Sequence, residues 1–363
     1  MNKKIILYID SMQLGGAQRV MCNIAEYLVN KQYSVILIND ILPSQTEPEY
    51  SINGNICRYF LDADNESGRN KNIHRIRKLR KLIKTEKPNA ILSFLGPPNL
   101  RMLMASLGIK CRKVVSVRND PYKEYGDGIK KTIARIAFLF ADGCVFQTND
   151  AKSYFSRKVK NKSQIIVNPV NEKFYGVEWS GKNKEIAVVG RLQSQKNPLL
   201  ALEAFCQIEK EFSEYKLVFY GDEELKDKIV IKSREYGIEN KVIIYGKTSD
   251  IENHLAASKV FLLSSDFEGM PNALLEAMAV GIPVVSTDCP CGGPRTVIEN
   301  ESQGILVPCR DPKKMAEALR KILLDSKLQL GMSECEKKRA ELFHEDGVLQ
   351  QWEDYLFEGK SRI

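Results

Sequence analysis

Two glutamates, Glu268 and Glu276, stand eight positions apart in FEGMPNALLEAMAVGIPVVSTD (Phe267–Asp288). Gly269, Met270, Pro271 and Asn272 lie between them; an apolar run and a Pro-Val-Val strand signal follow. Pro271 suits the first position of a helix, where its missing N–H costs nothing. The amides of Asn272, Ala273, Leu274 and Leu275 are then expected free at the positive end of the helix dipole, which makes an anion site. Glu276 falls about one turn in. Two carboxylates beside a positive helix end suit a ligand carrying both phosphate and hydroxyls, as a nucleotide sugar does. Either acid alone reads as an ordinary surface residue; strand, glycine, proline and second acid in order argue for a site.

Two other stretches follow apolar runs in the same way. VVGRLQSQKNP (Val188–Pro198) supplies Arg191 and Lys196. A guanidinium fork and an ammonium point charge on one loop suit a diphosphate; two solvated surface cations are the alternative. IDSMQLGGAQRV (Ile9–Val20) places Gly15 and Gly16 before a helix. Glycine there permits positive φ and close backbone approach to a phosphate, although a plain helix-start glycine fits as well. The dinucleotide fingerprint Gly-x-Gly-x-x-Gly is absent from this stretch, which disfavours a nicotinamide dehydrogenase.

These loops need elements to hold them. KIILYI, SVILIND, AILSFLG, KVVSVRND and GCVFQTN read as buried parallel strands alternating with helices, and the pattern restarts with EIAVVGR, KLVFYGD, KVIIYGK, KVFLLSS and IPVVSTD. Continuous apolar strands interleaved with amphipathic helices imply a doubly wound α/β sheet. With 363 residues, two such domains are expected: residues 1–167, a linker at 168–183 rich in Pro, Gly, Asn and Lys, residues 184–343, and a terminal helix at 344–363. PLLALEAFCQIEKEF is expected to be one helix. Ligands of such sheets bind beyond the carboxyl ends of the strands, so two Rossmann-like domains are expected to face one another across a cleft.

With these motifs in order, the chain resembles glycosyltransferase family 4, the retaining enzymes of the two-domain GT-B fold. Glu268-x7-Glu276, GRLQSQKNP and GGAQRV carry the resemblance along nearly the whole length. It implies that Glu268 meets hydroxyls of the transferred sugar and Glu276 the nucleotide ribose. Arg191 and Lys196 would neutralise the departing diphosphate, and Glu268, Arg191 and Lys196 are the expected catalytic set. Backbone around Gly15, Gly16, Met270, Pro271, Asn272, Leu274 and Leu275 would bind phosphate or sugar, and Lys247 and Thr248 would hold the base, uridine by resemblance. Many members have a histidine in the first domain near the reacting sugar. Here the place reads SVRNDP, giving Arg118, Asn119 and Asp120 on the acceptor side; the three histidines, His74, His254 and His344, lie elsewhere. Asp120 is a candidate proton acceptor there, or a helix cap. TDCPCGGPRTVI (Thr287–Ile298) is similar to bacterial transferases that build polysaccharide, with Gly292, Gly293, Pro294 and Arg295 in the matching turn. No metal is expected and no cofactor beyond the nucleotide-sugar co-substrate. Asp62-x-Asp64 is the feature a metal-dependent transferase would use, and a non-catalytic two-lobed binding protein is the other alternative.

Charge points to the second substrate. Residues 1–167 carry 28 Lys+Arg against 14 Asp+Glu, whereas the whole chain is only +8. Such asymmetry implies an anionic partner for the first half. KNIHRIRKLRKLIKTEK (Lys71–Lys87) is a basic amphipathic helix that suits an anionic membrane surface; packing its apolar stripe on the sheet is the other reading. No nucleic-acid motif accompanies the charge, so a glycan or lipid-linked glycan acceptor is expected. The opening MNKKIILYID reads as a buried strand rather than a signal peptide. Nine cysteines without a Cys-x-x-Cys pair fit reduced thiols and a cytoplasmic location, peripheral to the inner membrane face.

Overall fold

The computed structural model describes residues 3–359 apart from 45, 63–67 and 223; Asp64 therefore lies outside the described residues. The chain forms two compact units, Met1–Pro169 with Asp346–Ile363, and Val170–Glu345. Among the described residues no helix is long and apolar enough to cross a membrane.

In the first unit the strands are β1 (Lys4–Ile9), β2 (Ser34–Asn39), β3 (Cys57–Phe60), β4 (Ala90–Phe94), β5 (Arg112–Ser116), β6 (Gly143–Phe146) and β7 (Ser163–Ile165). They pair in the order β3-β2-β1-β4-β5-β6-β7, every pair parallel. The connections include α1 (Gly16–Asn30), α2 (Gly68–Glu86), α3 (Gly96–Ala105), α4 (Pro121–Tyr125), α5 (Gly128–Ala137), α6 (Asn149–Ser153) and α7 (Arg157–Lys160). Strands β1 and β4 are buried almost throughout, as a sheet covered on both faces requires.

The second unit carries β8 (Glu185–Val189), β9 (Lys216–Tyr220), β10 (Val242–Ile244), β11 (Val260–Leu263), β12 (Val284–Thr287) and β13 (Ile305–Val307). These form a parallel sheet ordered β10-β9-β8-β11-β12-β13. Its helices are α8 (Pro198–Cys206), α9 (Lys226–Glu235), α10 (Ile251–Ala257), α11 (Asn272–Val280), α12 (Gly293–Val297), α13 (Pro312–Leu324) and α14 (Ser326–Ala340); α15 (Glu345–Phe357) closes the chain. In both sheets strand order reverses once, between β1 and β4 and between β8 and β11. Loops diverge there and leave a crevice for a ligand.

Two expectations change, and the packing of α2 decides between two readings. The helix expected across Pro198–Phe212 stops at Cys206, and turns carry Ile208 and Phe212 into the core instead. Residues 170–183 are bonded into the second unit: Trp179 Nε1 donates to the Ser258 carbonyl at 2.9 Å, and the Ser180 and Asn183 amides bond to Ala256 and Ala257. Helix α2 packs its stripe inward, with Leu79 and Ile83 fully buried and only Ile73 left out at 40% exposure; the apolar face that a membrane would need is spent on the fold.

Residues from Asp346 onward complete the core of the first unit. Trp352, 1% exposed, lies 5.6 Å from the Phe94 ring. Tyr355 Oη accepts from the Cys144 amide at 2.9 Å. Gly143 is obligatory beneath it, because a Cβ there would sit 2.9 Å from that hydroxyl oxygen.

Candidate active site

Strands β8 and β11 are neighbours, so the loops that leave their carboxyl ends run side by side. That adjacency joins two stretches 72 residues apart: Lys196 Nζ meets Glu268 Oε1 at 2.5 Å. Ser265 Oγ donates to the same carboxylate oxygen at 2.7 Å. Glu268 is only 5% exposed, and the bonds fix its carboxylate. The loops are laced further by Asp266 N to the Gln195 carbonyl at 2.8 Å, Gln195 Nε2 to the Phe267 carbonyl at 3.0 Å and Ser264 Oγ to the Lys196 carbonyl at 2.9 Å. Asn197 takes the left-handed conformation, φ 42°, and its side chain caps α8 through the Leu200 amide. A small concavity opens here, lined by Gly190, Arg191, Lys196, Leu263, Ser264 and Ser265. Arg191 is exposed beside it, with no ion-pair partner among the described residues.

Close backbone packing sets the height of both loops. A Cβ on Gly221 would lie 1.9 Å from the Gly190 carbonyl oxygen, and one on Gly293 would lie 2.0 Å from that of Gly269. The Cys289–Arg295 turn is thus a brace under the Glu268 loop. Cys291 and Gly292, at φ 72° and 70°, bend it into place. Cys289 is buried there, and burial beside Glu268 pushes its thiol up.

Helix α11 begins one residue later than expected. Pro271 is its N-cap, with φ −75° and ψ 108°. The Leu274 and Leu275 amides, expected free, both donate to the Pro271 carbonyl, at 3.1 and 3.3 Å. Proline closes the first turn on its own carbonyl, so an anion at this end shares those amides. Glu276 is 5% exposed, and Met270, Leu274 and Leu275 are buried around it. Lys247 and Thr248 follow β10 at the sheet edge; Lys247 is exposed, and Thr248 Oγ1 accepts from the Asp250 amide at 3.1 Å.

In the first unit, Gly15 caps α1 with extended backbone, φ −160°, so positive φ is not what that position demands. Asp10, at the end of β1, accepts from Ser11 and Gln18, and burial holds its carboxyl above the usual range. The acceptor-side triplet separates. Arg118 is buried, with its guanidinium 4.6 Å over the Phe94 ring and Nη2 bonded to Asn168 Oδ1. Asp120 accepts from the Tyr122 amide at 2.9 Å and caps α4, which uses one oxygen of the candidate proton acceptor. Asn119 Oδ1 accepts from the Asp120 amide.

Sequence reasoning missed the polar group around Arg118. Arg118 Nε and Nη1, Glu124 Oε2, Gln147 Oε1 and Ser116 Oγ are buried there without hydrogen-bond partners among the described residues. Burial pushes the Glu124 carboxyl up to about 8 and the Arg118 guanidinium down to about 9. No period marks such residues, since they lie at a strand end, on loops and on a short helix. Ser265 was more accessible to reasoning: Ser-Ser-Asp at the carboxyl end of an apolar strand is a polar cluster where a ligand belongs.

Known proteins resemble the chain in sequence and in fold. The model for glycosyl transferases group 1 matches residues 170–339 and that for glycosyltransferase family 4 matches 14–174. A Campylobacter jejuni GalNAc-alpha-(1->4)-GalNAc-alpha-(1->3)-diNAcBac-PP-undecaprenol alpha-1,4-N-acetyl-D-galactosaminyltransferase is 26% identical, with 99% of each chain covered. An Escherichia coli UDP-Gal:alpha-D-GlcNAc-diphosphoundecaprenol alpha-1,3-galactosyltransferase is 27% identical over 90% of this chain and 89% of its own. Among solved structures, Anabaena HepE in complex with UDP-glucose superposes with a TM-score of 0.78 at 16% identity, covering 98% of this chain and 99% of that one. Two parallel α/β units, the loops at their switch points and both family matches lead to one conclusion: the chain belongs to the family 4 glycosyltransferases of GT-B fold.

Proposed function

We propose that this glycosyltransferase moves a hexose or N-acetylhexosamine from a uridine diphosphate donor to a hydroxyl of a polyprenyl-diphosphate-linked glycan, with retention at the anomeric carbon. The setting is bacterial polysaccharide assembly at the inner face of the cell membrane. The relatives support the acceptor class, since two of them are named for undecaprenol-diphosphate glycans. The observation that carries the reading is the Lys196–Glu268 pair at the β8/β11 switch point, with exposed Arg191 beside it.

In this reading the bond between the anomeric carbon and the donor phosphate oxygen breaks while the acceptor hydroxyl oxygen bonds to that carbon and passes its proton to the departing phosphate oxygen. Arg191 and Lys196 balance the charge that builds on the nucleoside diphosphate, a preorganised contribution that commonly dominates rate enhancement. Lys196 also fixes Glu268, which orients the sugar hydroxyls. Glu276 holds the ribose; the segment at Lys247 and Thr248 meets the base. Gly15, Gly16 and the amino end of α11 offer backbone groups to the phosphates.

The test is a panel of nucleotide sugars with purified protein and synthetic polyprenyl diphosphate glycans, the product anomer being read by nuclear magnetic resonance. One donor should give an α-linked product from an α-linked donor. An inverted product, or nucleotide-sugar binding with no nucleoside diphosphate release across all acceptors, would overturn the reading.

A further inference from the structure

Helix α5 leaves a large apolar face in the open. Ile129, Ile133 and Ile136, spaced by four and three, share one face and are 81, 56 and 53% exposed. The turn that continues it, Phe138–Phe140, adds Phe140 on the same side at 55%. The inner side packs only Ala134 and Phe138 into the core and is flanked by half-buried cations. Lys131 Nζ sits 4.5 Å over the Tyr122 ring and 4.8 Å over Tyr154, and Arg135 Nε donates to the Tyr154 carbonyl at 2.6 Å. An apolar ridge of this kind on a folded unit marks an interaction surface.

Charge around the ridge selects the occupant. Lys123 and Lys130 are exposed beside it on α4 and α5. Helix α7, packed against the Phe138–Phe140 turn, exposes Arg157 and Lys158. Asp127 at the amino end of α5 is exposed as well, but cations outnumber it; an apolar ridge with a predominantly cationic rim matches the boundary between acyl chains and anionic headgroups. We propose that the α5 ridge inserts into the headgroup region of an anionic lipid bilayer and seats the first unit on it. The inference deepens the reading of a membrane-borne acceptor and rests on it for the choice of lipid. It moves the contact from α2, whose stripe is buried, to α5.

The experiment is co-sedimentation of the full chain with vesicles of phosphatidylcholine alone and of phosphatidylcholine with phosphatidylglycerol. The native chain should bind the anionic vesicles, and binding should weaken in high salt. The double variant I129E/I133E should lose about tenfold or more in partitioning with an unchanged melting temperature, because both side chains already face water. K130E should lose less. I231E, an exposed isoleucine of the second unit (54%), should partition as the native chain does. Native-like vesicle binding by I129E/I133E would overturn the proposal. So would a native dimer that ignores vesicles and dissociates on that substitution, which would assign the ridge to a second copy. Transfer to a short-chain, water-soluble acceptor separates the two readings. I129E/I133E should retain it, whereas its absence in the native chain counts against the transferase chemistry and leaves the vesicle result standing.

Discussion

Arg191 and Lys196 lie on one loop but have different surroundings. Lys196 is half-buried and held by Glu268, whereas Arg191 is exposed. Replacing Arg191 by Ala should therefore lower turnover by about 10²–10³ with a melting temperature within a degree or so of native, since surface changes are typically within about 0.5 kcal/mol. Steady-state assay and thermal denaturation together check this; full turnover would remove the role. Glu124 makes a prediction about pH. Its folded carboxyl titrates near 8 rather than at its ordinary 4.5, because burial disfavours the charged form. Between those values the unfolded chain has released the proton and the folded chain keeps it. Stability should thus fall as pH rises from about 5 to 8. Arg118, lowered to about 9, changes its balance only above that window. E124Q has no proton to lose, so its urea midpoint should exceed the native value at pH 8 and approach it at pH 5. Parallel pH profiles for the two proteins would refute the assignment.

At the level of elements, loop height depends on two glycines with no room for a side chain. A Cβ at Gly293 meets the Gly269 carbonyl oxygen at 2.0 Å. G293A should cost about 1–3 kcal/mol by overpacking and should impair turnover more than stability, because the displaced loop carries Glu268. Comparing denaturation midpoints and kcat for G293A and for the unobstructed G331A isolates the effect. This contact also shows what the sequence could disclose. Strands β1, β4, β8 and β11 were readable because uninterrupted apolar runs report burial on both faces, and Glu268 and Glu276 were readable because they flank a helix start. Gly293's role was not, since it depends on a backbone 24 positions away in the chain. Proline at 271 predicted a helix start to within one residue. It gave no sign that its own carbonyl would engage the Leu274 and Leu275 amides, which is a matter of backbone geometry. The α2 stripe admitted two readings for a related reason: composition marks it as basic and apolar, and only packing tells that it is covered.

For the whole molecule, the chain's last helix is part of its first core. Trp352 is buried against Phe94, and Arg118 lies 5.9 Å from its ring. W352A should destabilise the first unit by about 3–5 kcal/mol, visible as an early transition in denaturant unfolding, while the second unit keeps its midpoint. The central claim concerns that second unit: a nucleoside diphosphate lodges where β8 and β11 part. A crystal structure with uridine diphosphate bound tests it most directly. The account predicts diphosphate oxygens about 3 Å from Arg191 and Lys196, beside the amino end of α11. A diphosphate bound out of reach of both cations would contradict it.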